Sequence, residues 1–172
     1  MKLIQHITVG SGGAASIIFS SIPGTFTDLR IVFSGRNADA VNVYALRVRF
    51  NSNASGYTQR LLYGNGGTVE SITRSDDFAL YVQGANATAN TFSNSEIYIP
   101  NYASAANKSF LVDYVNENNS ATNLNGITAG LWSNTAAITS VSLITEAGNL
   151  VQHSSATLYG ILKGSDGITT AT

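Results

Sequence analysis

The chain has 172 residues, enough for one domain with a two-layer core. Only 11% of its residues are charged and its net charge is −1, so it lacks the concentrated basic charge that nucleic-acid binding requires. It contains no cysteine, which excludes disulfides and cysteine-ligated metal sites. Apolar residues near the start alternate with polar ones and no apolar run is long enough to cross a bilayer, so we expect a soluble protein without a visible signal peptide.

Short stretches of alternating apolar residues follow one another along the chain, separated by Gly, Asn and Ser clusters. Alternate side chains of an extended segment share a face, so each stretch predicts a strand. In chain order the predicted strands are KLIQHITV (2–9), SIIFSSI (16–22), LRIVFSGR (29–36), VYALRVRF (43–50), FALYVQG (78–84), EIYIP (96–100), KSFLVDYV (108–115), ITAGLW (127–132), ITSVSLI (138–144) and TLYGILK (157–163). No window shows a helical stripe, and about ten short strands predict an all-β fold, a sandwich or a barrel.

Turn residues and the polar end of the chain complete this outline. The dipeptides Asn65-Gly66 and Asn125-Gly126 predict hairpin turns. Residues 1–163 are expected to form a single domain. Residues 164–172 are small and polar, and we interpret them as a tail that is either flexible or an arm ordered on a neighbouring subunit.

The last predicted strand carries a glycine at its centre. Leu158 and Gly160 point to one side of an extended chain and Tyr159 to the other. A glycine inside a strand marks a bulge or a close approach by another group. We interpret the strand as internal architecture in which Gly160 leaves room for a facing aromatic ring such as Trp132.

Candidate chemistry is sparse. His6 and His153 have no metal-binding spacing, and we interpret both as solvated or hydrogen-bonded surface imidazoles. Asp76 and Asp77 form the densest acidic cluster, which could contribute two calcium ligands, although a solvated turn capped by Arg74 is favoured.

Two further carboxylates bear on catalysis. Glu96 and Asp113 could act as an acid–base pair only if neighbouring strands bring them together, and nothing in their spacing requires this. No nucleotide-binding or nucleophile motif occurs. We therefore predict a protein that is not an enzyme, with no catalytic, cofactor-binding or metal-binding residues.

Aromatic residues supply the candidate contact site. Trp132, Tyr102 and Tyr57 could stack on a glycan or contact a partner protein. The alternative is that large rings plug the core or a subunit contact, and Trp132 and Tyr98 in particular fit that role. The sequence favours the core.

Five segments together resemble a family of small virion structural proteins of tailed phages, common in marine and cyanobacterial viruses. They share its serine-flanked Ile-Pro, its "DLR" strand, its "RFN" strand end, its "IPNY" turn and its "LYGI" finish. The segments are FSSIPGTFTDLRIVFSGR (19–36), RFNSNASGYTQRLLYGNG (49–66), IYIPNYASAANKSF (97–110), GLWSNTAAITSVSLIT (130–145) and SSATLYGI (154–161).

This resemblance implies a jelly-roll-like sandwich and a structural role without catalytic residues. We expect a capsid decoration or cement protein on the particle surface, made in the host cytoplasm and bound to the major capsid protein or other virion subunits. Homo-oligomers, such as trimers, would protect exposed strand edges. The alternative is a receptor- or glycan-binding module of a tail or head fibre.

Overall fold

A computed structural model describes residues 1–119 and 123–162, and these residues form two antiparallel sheets packed face to face. The long sheet has eight strands in the order β1-β12-β3-β8-β9-β10-β5-β6, and the short sheet has four in the order β2-β11-β4-β7. The strands are β1 Lys2–Thr8, β2 Ser16–Phe19, β3 Asp28–Gly35, β4 Val43–Phe50, β5 Tyr57–Gly64, β6 Val69–Arg74, β7 Phe78–Gln83, β8 Ser93–Ile99, β9 Lys108–Val115, β10 Asn125–Trp132, β11 Val141–Ile144 and β12 Ser155–Ile161. The all-β sandwich predicted from the sequence is confirmed.

The chain alternates between the sheets in a way that defines a jelly roll. Strands β1, β3, β8 and β12 lie side by side in the long sheet, and β2, β4, β7 and β11 form the short one. Eight strands that cross between two sheets in this manner are the jelly-roll arrangement. Two hairpin insertions, β5–β6 and β9–β10, extend only the long sheet.

The sequence predicted ten of the twelve strands and missed β5 and β6. β5 alternates in burial, but one of its inward positions is Gln59, which interrupts the apolar pattern. β6 is an edge strand with no fully buried side chain, so it offers no apolar face to detect. Its only signal was the predicted turn at Asn65-Gly66, where the Asn65 Oδ1 accepts the backbone N–H groups of Gly67 and Thr68 at 3.0 and 2.8 Å.

The second predicted hairpin turn is wrong. Asn125 and Gly126 begin β10 instead of forming a turn. The Asn125 side chain accepts a hydrogen bond from the Asn116 N–H at 2.7 Å. This bond joins the two ends of the connection between β9 and β10, so Asn125 does not lie at its tip. The predicted tail, 164–172, lies outside the described residues.

An aromatic cluster fills one end of the core between the sheets. Phe50 of β4 meets Phe110 of β9 edge to face at a centroid distance of 5.3 Å, and meets Trp132 of β10 at 5.7 Å. Tyr57 of β5 stacks on Trp132 at 6.2 Å. Offset and edge-to-face arrangements are the favoured aromatic geometries, so these four rings tie β4 to three strands of the long sheet.

Polar side chains from the long sheet and from the loop after β9 donate hydrogen bonds to backbone carbonyls at the free edge of β7. Gln59 donates to the Asp76 carbonyl at 2.7 Å and to the Phe78 carbonyl. Thr128 and Asn116 donate to the carbonyls of Ala79 and Tyr81 at 2.9 and 3.0 Å. A buried, unpaired backbone carbonyl is costly, so these side chains replace the strand that β7 lacks on that side.

β12 is an internal strand, as predicted, between β1 and β3. Leu158 and Gly160 point into the core while Tyr159 lies on the outer face. The ring over Gly160 is Phe26, not Trp132: a Cβ on Gly160 would lie 2.3 Å from the Phe26 Cγ. Trp132 lies in the aromatic cluster instead, because β10 is separated from β12 by three strands.

The contact with Phe26 gives a testable consequence. We expect Gly160→Ala to lower the free energy of unfolding by about 1–3 kcal/mol, because the new methyl overlaps the ring. Gly24→Ala is the control, since nothing lies within 4 Å of its added Cβ. Chemical denaturation of both variants measures the difference, and equal losses would mean that Phe26 does not need the space at Gly160.

Candidate functional site

The outer face of the long sheet carries an unusual number of exposed aliphatic side chains. Alternation along each strand turns them away from the core, where their neighbours are buried. Ile127, Leu62 and Leu111 are each 47% exposed. Exposed aliphatic residues on this sheet are Leu3, Val32, Leu62, Val69, Leu111, Val115, Ile127 and Leu131.

Five of these residues lie on the three adjacent strands β5, β10 and β9, and four of the five are grouped together. Leu62 of β5 is paired directly with Ile127 of β10, and Leu111 of β9 is paired with Ala129, between Ile127 and Leu131. Directly opposite side chains such as Leu62 and Ile127 are about 4.5–5.5 Å apart at Cβ. Leu111 is diagonal to Ile127 and Leu131 at about 7–8 Å, still within reach of long side chains. We call Leu62, Leu111, Ile127 and Leu131 the apolar stripe. Contiguous exposed apolar surface of this kind is typical of a contact site.

Charged side chains border the apolar stripe. Arg60 on β5 is exposed and its guanidinium donates only to the carbonyl of Gln59, at 3.2 Å. On the opposite side, Asp113 of β9 pairs in register with Ile127 and with Glu96 of β8. The stripe therefore has a basic side and an acidic side, which is the usual pattern of an apolar centre with a polar rim.

The structure does bring Glu96 and Asp113 together, the condition that the sequence left open. They are directly opposed on β8 and β9, and Arg30 of β3 forms an ion pair with Glu96. A shallow depression of about 370 Å³ lies over these three residues. The carboxylates stand on an open sheet face with one already bound to a guanidinium, which suits a polar rim better than an enclosed proton-transfer site.

Asp76 and Asp77 belong to a network of arginines. Asp77 is 3% exposed and forms ion pairs with Arg47 and Arg49, while Asp76 pairs with Arg74. The prediction that Arg74 caps this turn is confirmed, but Asp77 is buried and not solvated. Because the arginines occupy the carboxylate oxygens, the arrangement does not fit a calcium site.

The Arg74 hydrogen bond lowers the pKa of Asp76 below its ordinary value of 3.8. A depressed carboxyl pKa stabilises the fold at pH values above the unfolded pKa, and this contribution is lost as the pH falls through the folded pKa. The network is therefore a structural device of the β6–β7 connection that weakens only in acid.

The two histidines remain apart and lie at the surface, as predicted. His6 bonds to Thr157 at 2.7 Å and to Thr8 at 3.0 Å through its two ring nitrogens. Among residues 1–119 and 123–162, no group of three or more His, Cys, Asp or Glu side chains could hold a metal ion.

The three candidate contact rings lie inside the protein. Trp132, Tyr102 and Tyr57 are only 1%, 0% and 3% exposed. Burial raises the pKa of Tyr57 to about 12, and its hydroxyl accepts the Phe50 N–H at 2.8 Å. No ring face is presented for a sugar to stack on, because these rings fill the space between the sheets. Tyr98, expected in the core or a subunit contact, lies on the outer face and donates to Asp28 at 2.8 Å.

The Asn-rich loop after β7 is held by Arg36. This arginine is 8% exposed, and its guanidinium donates to the carbonyls of Thr88 and Ala87 at 2.8 and 2.9 Å and to two others in the loop. The amide of Asn86 donates to the Ala40 carbonyl at 2.9 Å. Several polar groups of the loop are therefore used within the protein rather than left free for a ligand.

Comparisons with protein-family models, curated proteins and solved structures find no match to this chain. No helix in the part of the chain that the structure describes is long and apolar enough to cross a membrane. The apolar stripe and its charged rim are thus identified from the geometry alone. Sequence reasoning missed them because alternation assigns apolar residues to the core, and only the register of three strands brings the residues of the stripe together.

The buried carboxylate of Asp77 yields a stability prediction. We expect Asp77→Asn to lower the free energy of unfolding by about 1–3 kcal/mol, because Arg47 and Arg49 lose the charge that they share. The matched control is Asp113→Asn on the exposed face, which should change it by less than about 0.5 kcal/mol. Urea denaturation compares the two, and a loss in Asp113→Asn equal to that in Asp77→Asn would contradict the structural role of the network.

Proposed function

We propose that this chain is a non-enzymatic virion structural protein of a tailed phage, a capsid decoration protein that binds the major capsid shell at the particle surface. The resemblance of its five segments to phage virion proteins suggests the role. The single observation that supports the proposed mode of binding is the apolar stripe, an exposed aliphatic surface on a sheet.

The physical features of the outer face suit such binding. A sheet face holds its side chains in fixed positions, so little conformational entropy is lost when a partner covers them. Arg60 and Asp113 at the two sides would orient the partner, although with so little net charge long-range steering is weak. Many copies on a repeating shell add avidity, so each contact can be modest.

The sandwich itself suits a structural role. Its core is continuous across both sheets, and carbonyls on the free edge of β7 already accept hydrogen bonds from Asn116 and Thr128. The glycan-binding alternative depended on surface aromatic rings and the Asn-rich loops. The three candidate rings are buried and several loop groups bond within the protein, so no specific observation favours it. We therefore propose only the decoration role.

Particle composition tests this role. We expect purified particles of the virus that encodes the chain to contain it in many copies, in a fixed ratio to the major capsid protein, because a decoration protein follows the shell lattice. Quantitative mass spectrometry and a reconstruction of the particle measure that ratio and position. Absence from particles, or a few copies confined to the tail, would contradict the proposal.

Substitution of the apolar stripe tests the surface. Ile127→Glu should weaken binding to capsids stripped of this protein by about tenfold or more, because it places a charge at the centre of the contact. Ile18→Glu is the matched control: Ile18 is similarly exposed, at 52%, but lies on β2 of the short sheet. Co-sedimentation with capsids measures both, and equal binding by the two variants would mean that the stripe is not the contact.

A further inference from the structure

The four sheet edges of this sandwich differ in how they are protected. Two carbonyls on the edge of β7 accept hydrogen bonds from buried side chains, and β2 has only four residues. β1 contains an irregularity between Leu3 and Gln5, and Lys2 stands at its start. Bulges, lysines and short length all discourage pairing with another chain. β6 has no bulge and no lysine, and its two charged residues, Glu70 and Arg74, have opposite signs.

β6 is regular and open along its whole length. Its six residues pair with β5 without a register shift, and the strand contains no proline and no lysine. Its side chains are exposed or half-buried, and no other strand lies beyond it in the sheet order. A straight, accessible edge of this kind is a template for strand addition.

The phase of the β5–β6 ladder shows which backbone groups face outwards. The Asn65 N–H donates to the Thr68 carbonyl at 3.1 Å, which marks this pair as hydrogen-bonded. Hydrogen-bonded and non-hydrogen-bonded pairs alternate along an antiparallel ladder. Glu70, Ile72 and Arg74 therefore bond to β5, and the N–H and C=O groups of Val69, Ser71 and Thr73 point to the free edge.

We propose that β6 pairs with β6 of a second copy of this chain in an antiparallel register centred on Ile72, which joins the two long sheets across a two-fold axis. In this register Ser71 lies opposite Thr73 of the other copy, so the outward backbone groups meet each other. Glu70 lies opposite Arg74 of the other copy, and this pair occurs twice. A two-fold contact requires such self-complementarity.

The charges select this register over its neighbour. Centring the pair on Ser71 would also align outward backbone groups, but it would place Glu70 opposite Ile72 and remove both ion pairs. Centring on Ile72 additionally brings the two isoleucines together at a non-hydrogen-bonded position, where side chains are closest. Opposite charges across strands stabilise pairing and like charges oppose it.

Glu70 and Arg74 already have partners within one copy, and these fix their positions at the edge. The Tyr63 hydroxyl donates to Glu70 at 2.8 Å, and the Arg74 Nε donates to Asp76 at 2.9 Å. Each group has further bonding capacity, since a carboxylate accepts several bonds and a guanidinium has five donors. The proposed pairing does not depend on the virion role, because it uses the edge of the long sheet and leaves its outer face free.

Single cysteines test the register directly, since the chain contains no other cysteine. In the proposed register the Cα atoms at position 72 are about 4.5 Å apart, within the range that a disulfide spans. We expect Ile72→Cys to form a disulfide-linked dimer under mild oxidation, and Ser71→Cys and the outer-face control Thr157→Cys to remain largely monomeric. Non-reducing electrophoresis after oxidation gives the readout.

Charge variants test the complementarity. Glu70→Lys and Arg74→Glu should each weaken the dimer by about 2- to 30-fold, because each turns two attractive pairs into repulsive ones. An equimolar mixture of the two variants should regain dimerisation as a mixed dimer, since the introduced Lys then faces the introduced Glu at one position and the native Arg74 faces the native Glu70 at the other. Sedimentation velocity over a concentration series measures the association.

The outcomes separate clearly. Preferential crosslinking of Ser71→Cys, a monomer at every concentration, or a trimer unaffected by the charge variants would overturn the pairing. A dimer that forms as described while the chain is absent from virus particles would refute the proposed virion role and leave this pairing intact. Circular dichroism of each variant confirms that the sandwich is folded before its association is compared.

Discussion

The structure depends on the burial of the free edge of β7 beneath the long sheet. Its carbonyls lie in the core, where water cannot reach them, and Gln59, Thr128 and Asn116 supply the missing donors. These donors come from the two hairpin insertions and the loop that follows β9. The insertions therefore widen the long sheet and also supply hydrogen-bond donors to carbonyls of β7.

This arrangement divides the polar residues of the protein into two groups. Inside, Arg36, Asp77 and Lys108 are nearly fully buried and bonded, and they fix loops against the sandwich. Outside, Arg60 and Asp113 stand with unused bonding capacity beside aliphatic neighbours. Several of the few charged residues in this chain therefore stabilise the fold. Arg60 and Asp113, on the outer face, mark the surface suited to a partner.

Much of the fold could be predicted because alternation is a local property. β3, β4 and β9 show it plainly, because buried residues alternate with exposed or half-buried ones along them. β5 escaped because Gln59 occupies a core position, and its role becomes clear only when β7 is placed beside it. The sequence suggested that Trp132 packs over Gly160, because a glycine leaves room for a facing ring. The strand order, which the sequence did not reveal, places Phe26 there instead. The apolar stripe likewise required the register of three strands.

The pairing of β1 with β12 sets a limit on how quickly this protein can form. Lys2 lies opposite Gly160, so β1 has no sheet partner until the chain has been synthesised through β12. Closure of so long a loop costs entropy before any contact compensates it, which makes folding slow. During synthesis β3 also waits for both of its neighbours, β8 and β12. A nascent chain of this topology would benefit from a chaperone that shields strands until the C-terminal one arrives.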